Sequence, residues 1–174
     1  MVKPIETKYK GYRFRSRLEA RWAVFFDALH VRYEYEKEGF DLGSGKWFLP
    51  DFYLVEQDCY LEIKPGNLFE IDRKQYVDSI VNTASLAQKQ NCLLIFGNPN
   101  YGEYNIVGAL RGSEVYGHFA LGEKGKLWII KENSATCLGP ITDTDKLLSD
   151  NCTLIMEAYT KARQARFEHG ETPD

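Results

Sequence analysis

From Phe48 to Pro65 the chain reads FLPDFYLVEQDCYLEIKP. Two apolar runs rich in strand-forming residues flank a polar stretch, Glu56-Gln57-Asp58, which predicts a β-hairpin. Trp47 to Val55 is the expected first strand and Cys59 to Lys64 the second, ended by Pro65-Gly66. Side chains on a strand alternate between its two faces. Tyr60, Glu62 and Lys64 therefore share one face, and Cys59, Leu61 and Ile63 the other. Glu62 and Lys64 stand side by side, about 7 Å apart along the strand. On the first strand Asp51 shares a face with Leu49 and Tyr53. Pairing through the turn at Gln57-Asp58 would bring Asp51 near Glu62.

Two carboxylates brought together in a partly buried place repel each other. A hard divalent cation resolves the conflict. Mg2+ prefers a few carboxylate oxygens plus waters and leaves positions open for a phosphate. An adjacent ammonium can orient the attacking water and offset charge building on phosphorus. Asp51, Glu62 and Lys64 thus form a plausible constellation for cleaving phosphodiester bonds.

The flanking sequence supplies the rest of a fold. In SRLEARWAVFFDALH, residues Leu18, Trp22, Phe25, Phe26 and Leu29 recur with the spacing of one helix face. Ser16 suits the N-cap, and Glu19 three residues on completes a capping box. YKGYRFRS, Tyr9 to Ser16, reads as a basic, aromatic extended arm, and Val31 to Glu36 as a strand. Asn67 to Lys89 reads mostly as a helix, and Cys92 to Phe96 as a short, fully apolar central strand. After residue 98 a small meander is expected at Tyr104 to Leu110, Val115 to Leu121 and Lys126 to Ile130. A helical stretch follows, broken near Asp150-Asn151, with a loose tail after His169. The order helix, strands, helix, strand predicts an α/β core with a mixed sheet flanked by helices.

Hydrophobic residues are 44% and aromatics 14% of the 174 residues, enough for one packed core and too many for a disordered chain. No apolar run approaches the ~20 residues that span a bilayer, and no secretory h-region opens the chain, so a cytoplasmic location is expected. Cys59, Cys92, Cys137 and Cys152 are scattered, without C-x-x-C pairs, and read as reduced thiols. The net charge of -3 conceals an asymmetry: residues 1–32 hold eight basic and three acidic side chains. A basic N-terminal patch on an acidic body is compatible with a phosphate-binding face. Arg13, Arg15, Arg17 and Arg21, interleaved with Tyr9, Tyr12 and Phe14, are its candidates for nucleic-acid contact. Lys161, Arg163 and Arg166 are candidates for a second contact, and His30, His118 and His169 read as structural or exposed.

The stretch FRSRLEARWAVFFDAL…YEYE…GFDLGSGKWFLPDFYLVEQDCYLEIKP resembles the PD-(D/E)XK nuclease superfamily, with its restriction-endonuclease-like fold. Pro50-Asp51 and Glu62-Ile63-Lys64 match the motif. Glu19 sits where small phage and bacterial members, and the junction-resolvase and transposase-nuclease branches, carry a first-helix glutamate. The resemblance covers about residues 9–97. It implies a nuclease core at 1–97, with 98–174 as a C-terminal accessory part of the same domain, a β-meander plus helix appendage. It further implies that Asp51, Glu62 and the Ile63 backbone carbonyl bind Mg2+, with Mn2+ as a substitute. Glu19 would complete the acidic cluster, and Lys64 would position the nucleophilic water. Gln75, with Arg73 and Lys74 beside it, falls on the following helix, where some branches place an accessory glutamine or lysine.

The expected activity is metal-dependent hydrolysis of phosphodiester bonds, in DNA, in a bacterial or phage-infected cell. Cutting both strands of a duplex calls for two sites, and a homodimer is compatible with that. The rival reading is a catalytically silent nuclease-fold protein that binds nucleic acid or a protein partner, as a phage-type accessory or inhibitor would.

Overall fold

The computed structural model describes residues 4–43, 45–67, 73–101, 105–110, 112–122, 126–131, 134–138 and 152–167. Among them lie three α-helices and a mixed eight-stranded sheet, in agreement with the expected α/β class. The expected break near Asp150-Asn151, His169 and the tail lie outside the described residues.

The hairpin organises the sheet. Its second strand, β7 (Cys59–Lys64), has the expected bounds, and its first is β6 (Phe52–Leu54). They pair antiparallel as Phe52↔Leu61, Tyr53↔Tyr60 and Leu54↔Cys59. The single strand expected over Trp47 to Val55 is instead broken. Pro50 has no N–H to give a ladder, so the chain bends at Leu49–Asp51. The preceding piece, β5 (Trp47–Phe48), pairs with β4 (Phe40–Asp41) in a separate ribbon. Asp51 therefore sits at a bend, just before its strand.

On one side of the hairpin, β3 (Tyr33–Tyr35) pairs with β6. On the other, β8 (Asn91–Phe96) runs parallel to β7, with Glu62 opposite Leu94 and Lys64 opposite Phe96. The crossover expected as one long helix has a 3-10 turn at Arg73–Tyr76 and then α2 (Val77–Ala87); residues 68–72 lie outside the described residues. The C-terminal strands continue the same sheet: β9 (Ile106–Leu110), β10 (Ser113–Leu121), β11 (Leu127–Lys131) and β12 (Ser134–Cys137). The meander thus has a fourth strand that the sequence pattern did not announce. β10 pairs with β9 up to Gly117 and with β11 beyond it. At Gly117 (φ +156°) a Cβ would lie 2.0 Å from the Ile130 carbonyl oxygen, so only glycine permits this crossing of backbones.

Two apolar layers cover the sheet. α1 (Arg17–Ala28) buries Trp22, Phe25 and Phe26, as its periodicity predicted. It shares a core with Phe52, Leu54, Leu61, Ile63, Leu93 and Ile95. α3 (Thr153–Gln164) joins that layer, with Tyr159 4.6 Å from Phe25 ring to ring. Leu86 of α2 packs on the opposite face with Phe48, Tyr60 and Cys92. Among the described residues, no helix is long and apolar enough to cross a membrane. Cys59, Cys92 and Cys137 are buried thiols and Cys152 is half-buried.

Both ends of α1 are closed. His30 (φ +55°) terminates it: the His30 N–H donates to the Asp27 carbonyl at 3.0 Å and the Val31 N–H to the Phe26 carbonyl at 2.9 Å. This pattern of bonds is the Schellman motif, so His30 has a structural task. Upstream, the expected extended arm is a hairpin, β1 (Thr7–Tyr9) paired with β2 (Tyr12–Phe14). Its turn residues Lys10 and Gly11 both take positive φ, as tight two-residue turns require. The hairpin delivers Arg15 and Ser16 to the start of α1.

Candidate functional site

Three carboxylates are buried where the hairpin, α1 and β3 meet. Asp51 is 5% exposed, Glu62 6% and Glu19 7%. Extending the β6–β7 register by one residue sets Asp51 opposite Glu62. The Ile63 N–H donates to Asp51 Oδ2 at 2.7 Å, which anchors this carboxylate across the strand. The Asp51 carbonyl accepts from the Glu36 N–H at 2.9 Å, tying the bend to the end of β3. Lys64 Nζ lies 2.5 Å from Glu62 Oε1. Glu62 Oε2 is buried and has no hydrogen-bond partner among the described residues.

Glu19 is held from three sides. Ser16 Oγ accepts from the Glu19 N–H at 3.2 Å and donates to Glu19 Oε1 at 2.6 Å. Glu19 Oε2 accepts from the Arg15 N–H at 3.1 Å and the Tyr35 hydroxyl at 2.6 Å. The N-cap half of the expected capping box is present, but the Glu19 carboxylate reaches back to the Ser16 hydroxyl and the Arg15 N–H, one residue before the N-cap. It is joined by a tyrosine that sequence reasoning missed. Tyr35 lies sixteen residues away; its sole sequence signal is the alternation that points it inward from β3. Burial, then the bond to Glu19, pushes its phenol upward, so it stays a neutral donor.

The electrostatics reflect this crowding. Burial pushes the Asp51 carboxyl well above its ordinary value, and Glu62 and Glu19 add to it, while Lys64 and the Ile63 N–H oppose it. Burial also raises Glu62; Lys64 counters it, Glu19 pushes further up, and Arg15 pulls down. For Lys64, burial favours the neutral amine, but Glu62 and Asp51 outweigh it and raise its pKa. Lys64 is therefore an ammonium at neutral pH: a donor, not a base.

The groups that could hold a divalent cation are Asp51, Glu62 and the Ile63 carbonyl. The fit rests on Glu62 Oε2, because an unpaired buried acceptor costs about 1–3 kcal/mol, more if charged, and a cation would recover that cost. Against it, among the described residues no three acidic, histidine or cysteine side chains converge as a ready-made cage. The Glu19 oxygens are turned instead to Ser16, Arg15 and Tyr35.

The arginines divide. Arg13 pairs with Glu6 at 2.5 Å, far out in solvent. Arg15 pairs with Glu36 beside the acids. Arg17 and Arg21 share a face of α1 but are half-buried, and Arg21 Nη1 donates to Asn98 Oδ1 at 3.4 Å. Gln75 is exposed on the 3-10 turn. The next residue, Tyr76, meets Phe96 at 5.5 Å, and Phe96 is the register partner of Lys64. The turn thus lies at the same end of the sheet as Lys64. Lys74 is exposed, and the Arg73 side chain lies outside the described residues. Lys161, Arg163 and Arg166 are exposed, with Arg163 reaching Asn100 at 3.4 Å. No protein-family model, curated protein or solved structure matches the chain.

Glu19→Gln separates the cap from the charge. A glutamine oxygen can still accept from Arg15 and Tyr35, and its NH2 can face the rotatable Ser16 hydroxyl. Because each bond keeps a partner, thermal stability should stay within about 1 kcal/mol of wild type. If the carboxylate charge serves a reaction, cleavage should fall by about 10²-fold. Normal cleavage by the variant would reduce Glu19 to a cap.

Proposed function

We propose that this chain is a metal-dependent nuclease with a restriction-endonuclease-like core, hydrolysing phosphodiester bonds in DNA. The observation that carries the reading is the cluster of buried Asp51 and Glu62 with half-buried Lys64 around the Ile63 peptide, with one Glu62 oxygen unsatisfied among the described residues. Asp51, Glu62 and the Ile63 carbonyl would hold Mg2+, and Glu19 would add charge from α1. A bound Mg2+ supplies positive charge against the phosphate and lowers the pKa of water. Lys64 has three N–H donors and, as an ammonium, can orient the attacking water and share the charge that develops on phosphorus. Glu19 and Asp51 are fixed by hydrogen bonds before any ligand arrives, so little reorganisation is needed.

The turning of both Glu19 oxygens to Ser16, Arg15 and Tyr35 favours the second reading, a silent nuclease-fold binder. One experiment addresses both. Plasmid, linear and branched DNA are incubated with the protein in Mg2+, Mn2+ or EDTA, beside thermal denaturation in the same buffers. Cutting with Mg2+ or Mn2+, none with EDTA, and a metal-induced rise in melting temperature are expected. DNA binding without cutting or metal response would establish the silent reading.

A further inference from the structure

Arg15 stands apart from the other basic residues of the N-terminal segment. Its backbone is pinned at the acidic cluster, because its N–H is shared by Glu19 Oε2 at 3.1 Å and the Tyr35 hydroxyl oxygen at 3.0 Å. Its side chain is 59% exposed, while that of its partner Glu36 is 25% exposed. Glu36 has a left-handed backbone (φ +49°), unusual for a residue with a side chain. Strain of this kind persists where the surroundings enforce it, and it clusters at functional sites. Here the Glu36 N–H is bonded to the Asp51 carbonyl, so the strained residue belongs to the same assembly. The Arg15 guanidinium also bears on Glu62, opposing the upward push that burial gives that carboxylate. It is thus an exposed cation at the mouth of a buried acidic site.

We propose that Arg15 grips a non-bridging oxygen of the phosphate being cut, and that Glu36 is the positioning residue that aims it. The inference rests on the nuclease reading. A guanidinium offers five N–H donors in a planar fork. Glu36 Oε1 meets Nη2 as an ion pair without an aligned hydrogen bond, and donors remain for a phosphate, whose geometry the fork matches better than an ammonium does. Arg13, paired with Glu6 in open solvent, has no such anchoring.

Single-turnover cleavage of the DNA that wild type cuts best tests this. Arg15→Ala should lower the rate by about 10²-fold at saturating protein and reduce the salt slope of DNA binding by about one. Arg15→Lys should restore little of the rate, although lysine can still pair with Glu36. Glu36→Gln should give an intermediate rate. Arg32→Ala, which removes an exposed cation paired with Glu56, should cut like wild type. Full rescue by Arg15→Lys would reduce Arg15 to an anchor for Glu36 and overturn the proposal, as would a normal rate for Arg15→Ala. Should Arg15→Ala not fold, Arg15→Lys decides alone. If wild type cuts no DNA, the nuclease reading itself fails and this inference with it. If wild type cuts and the Arg15 variants cut equally well, only the inference fails.

Discussion

Asp51→Asn is expected to abolish cleavage and, at the same time, to make the protein more stable at pH 7. The side-chain carbonyl oxygen of an asparagine can still accept from the Ile63 N–H, now 2.7 Å from Asp51 Oδ2, so the local frame survives. What disappears is a buried charge beside Glu62 and Glu19. The sign follows from linkage. Asp51 has its folded value raised above the ordinary 3.8. Its contribution to stability is full below the ordinary value and is lost as pH rises through the raised one, because the folded state holds a proton that the unfolded chain has released. The variant has no such loss. Its melting temperature should vary less than wild type over that window and lie above it at pH 7, by about 2–4 °C for each kcal/mol relieved. Cleavage should fall by about 10³-fold or more, and the rise in melting temperature with Mg2+ should vanish. Cleavage at the wild-type rate would remove Asp51 from the site. Lower stability at pH 7 would mean that its charge is compensated rather than strained.

The parts that sequence made legible are those where a local rule and the tertiary fold agree. β7 matches its expected bounds because alternation, strand propensity and a following Pro-Gly all point the same way. Ser16 and Glu19 sit in one helical turn, so the N-cap bond between them is a local matter, and it is found. The facing of Asp51 and Glu62 follows from strand periodicity and the turn between them.

The failures have physical causes too. Reading Trp47 to Val55 as one strand let an apolar run override Pro50, whose missing N–H breaks it. The Lys10-Gly11 turn was concealed by a basic composition, although glycine there supplies the positive φ of a hairpin. β12 is too polar, Ser-Ala-Thr-Cys, to announce itself, and pairing with β11 forms it. Tyr35 and Glu36 were invisible as site residues. Their partners, Glu19 and Arg15, lie sixteen and twenty-one positions upstream, and only the packing of β3 against α1 joins them. The local half of the candidate site could thus be read from the chain, while the half assembled across elements could not.

Lys64→Met should separate chemistry from cation binding. Methionine keeps most of the volume of the stem but removes the ammonium that lies 2.5 Å from Glu62 Oε1. Glu62, whose other oxygen has no partner among the described residues, is then a buried carboxylate left with the weaker pull of Arg15. Removing one member of a buried pair costs about 3–5 kcal/mol, and the lower figure applies because Lys64 is 26% exposed. Adding Glu62→Gln should recover most of this loss, a non-additivity that a double-mutant cycle reads directly. The single variant should lose about 10²–10³-fold in single-turnover rate, because the donor for water and phosphate is gone. Its affinity for Mn2+ should hold or tighten, since the cation no longer competes with an ammonium for Glu62. Calorimetric Mn2+ titration and cleavage, measured on the same preparation, therefore move in opposite directions if Lys64 is the reactive donor. Should Mn2+ affinity collapse while the rate survives, Lys64 would be a support for the cation site, and the orienting of water would belong to another group.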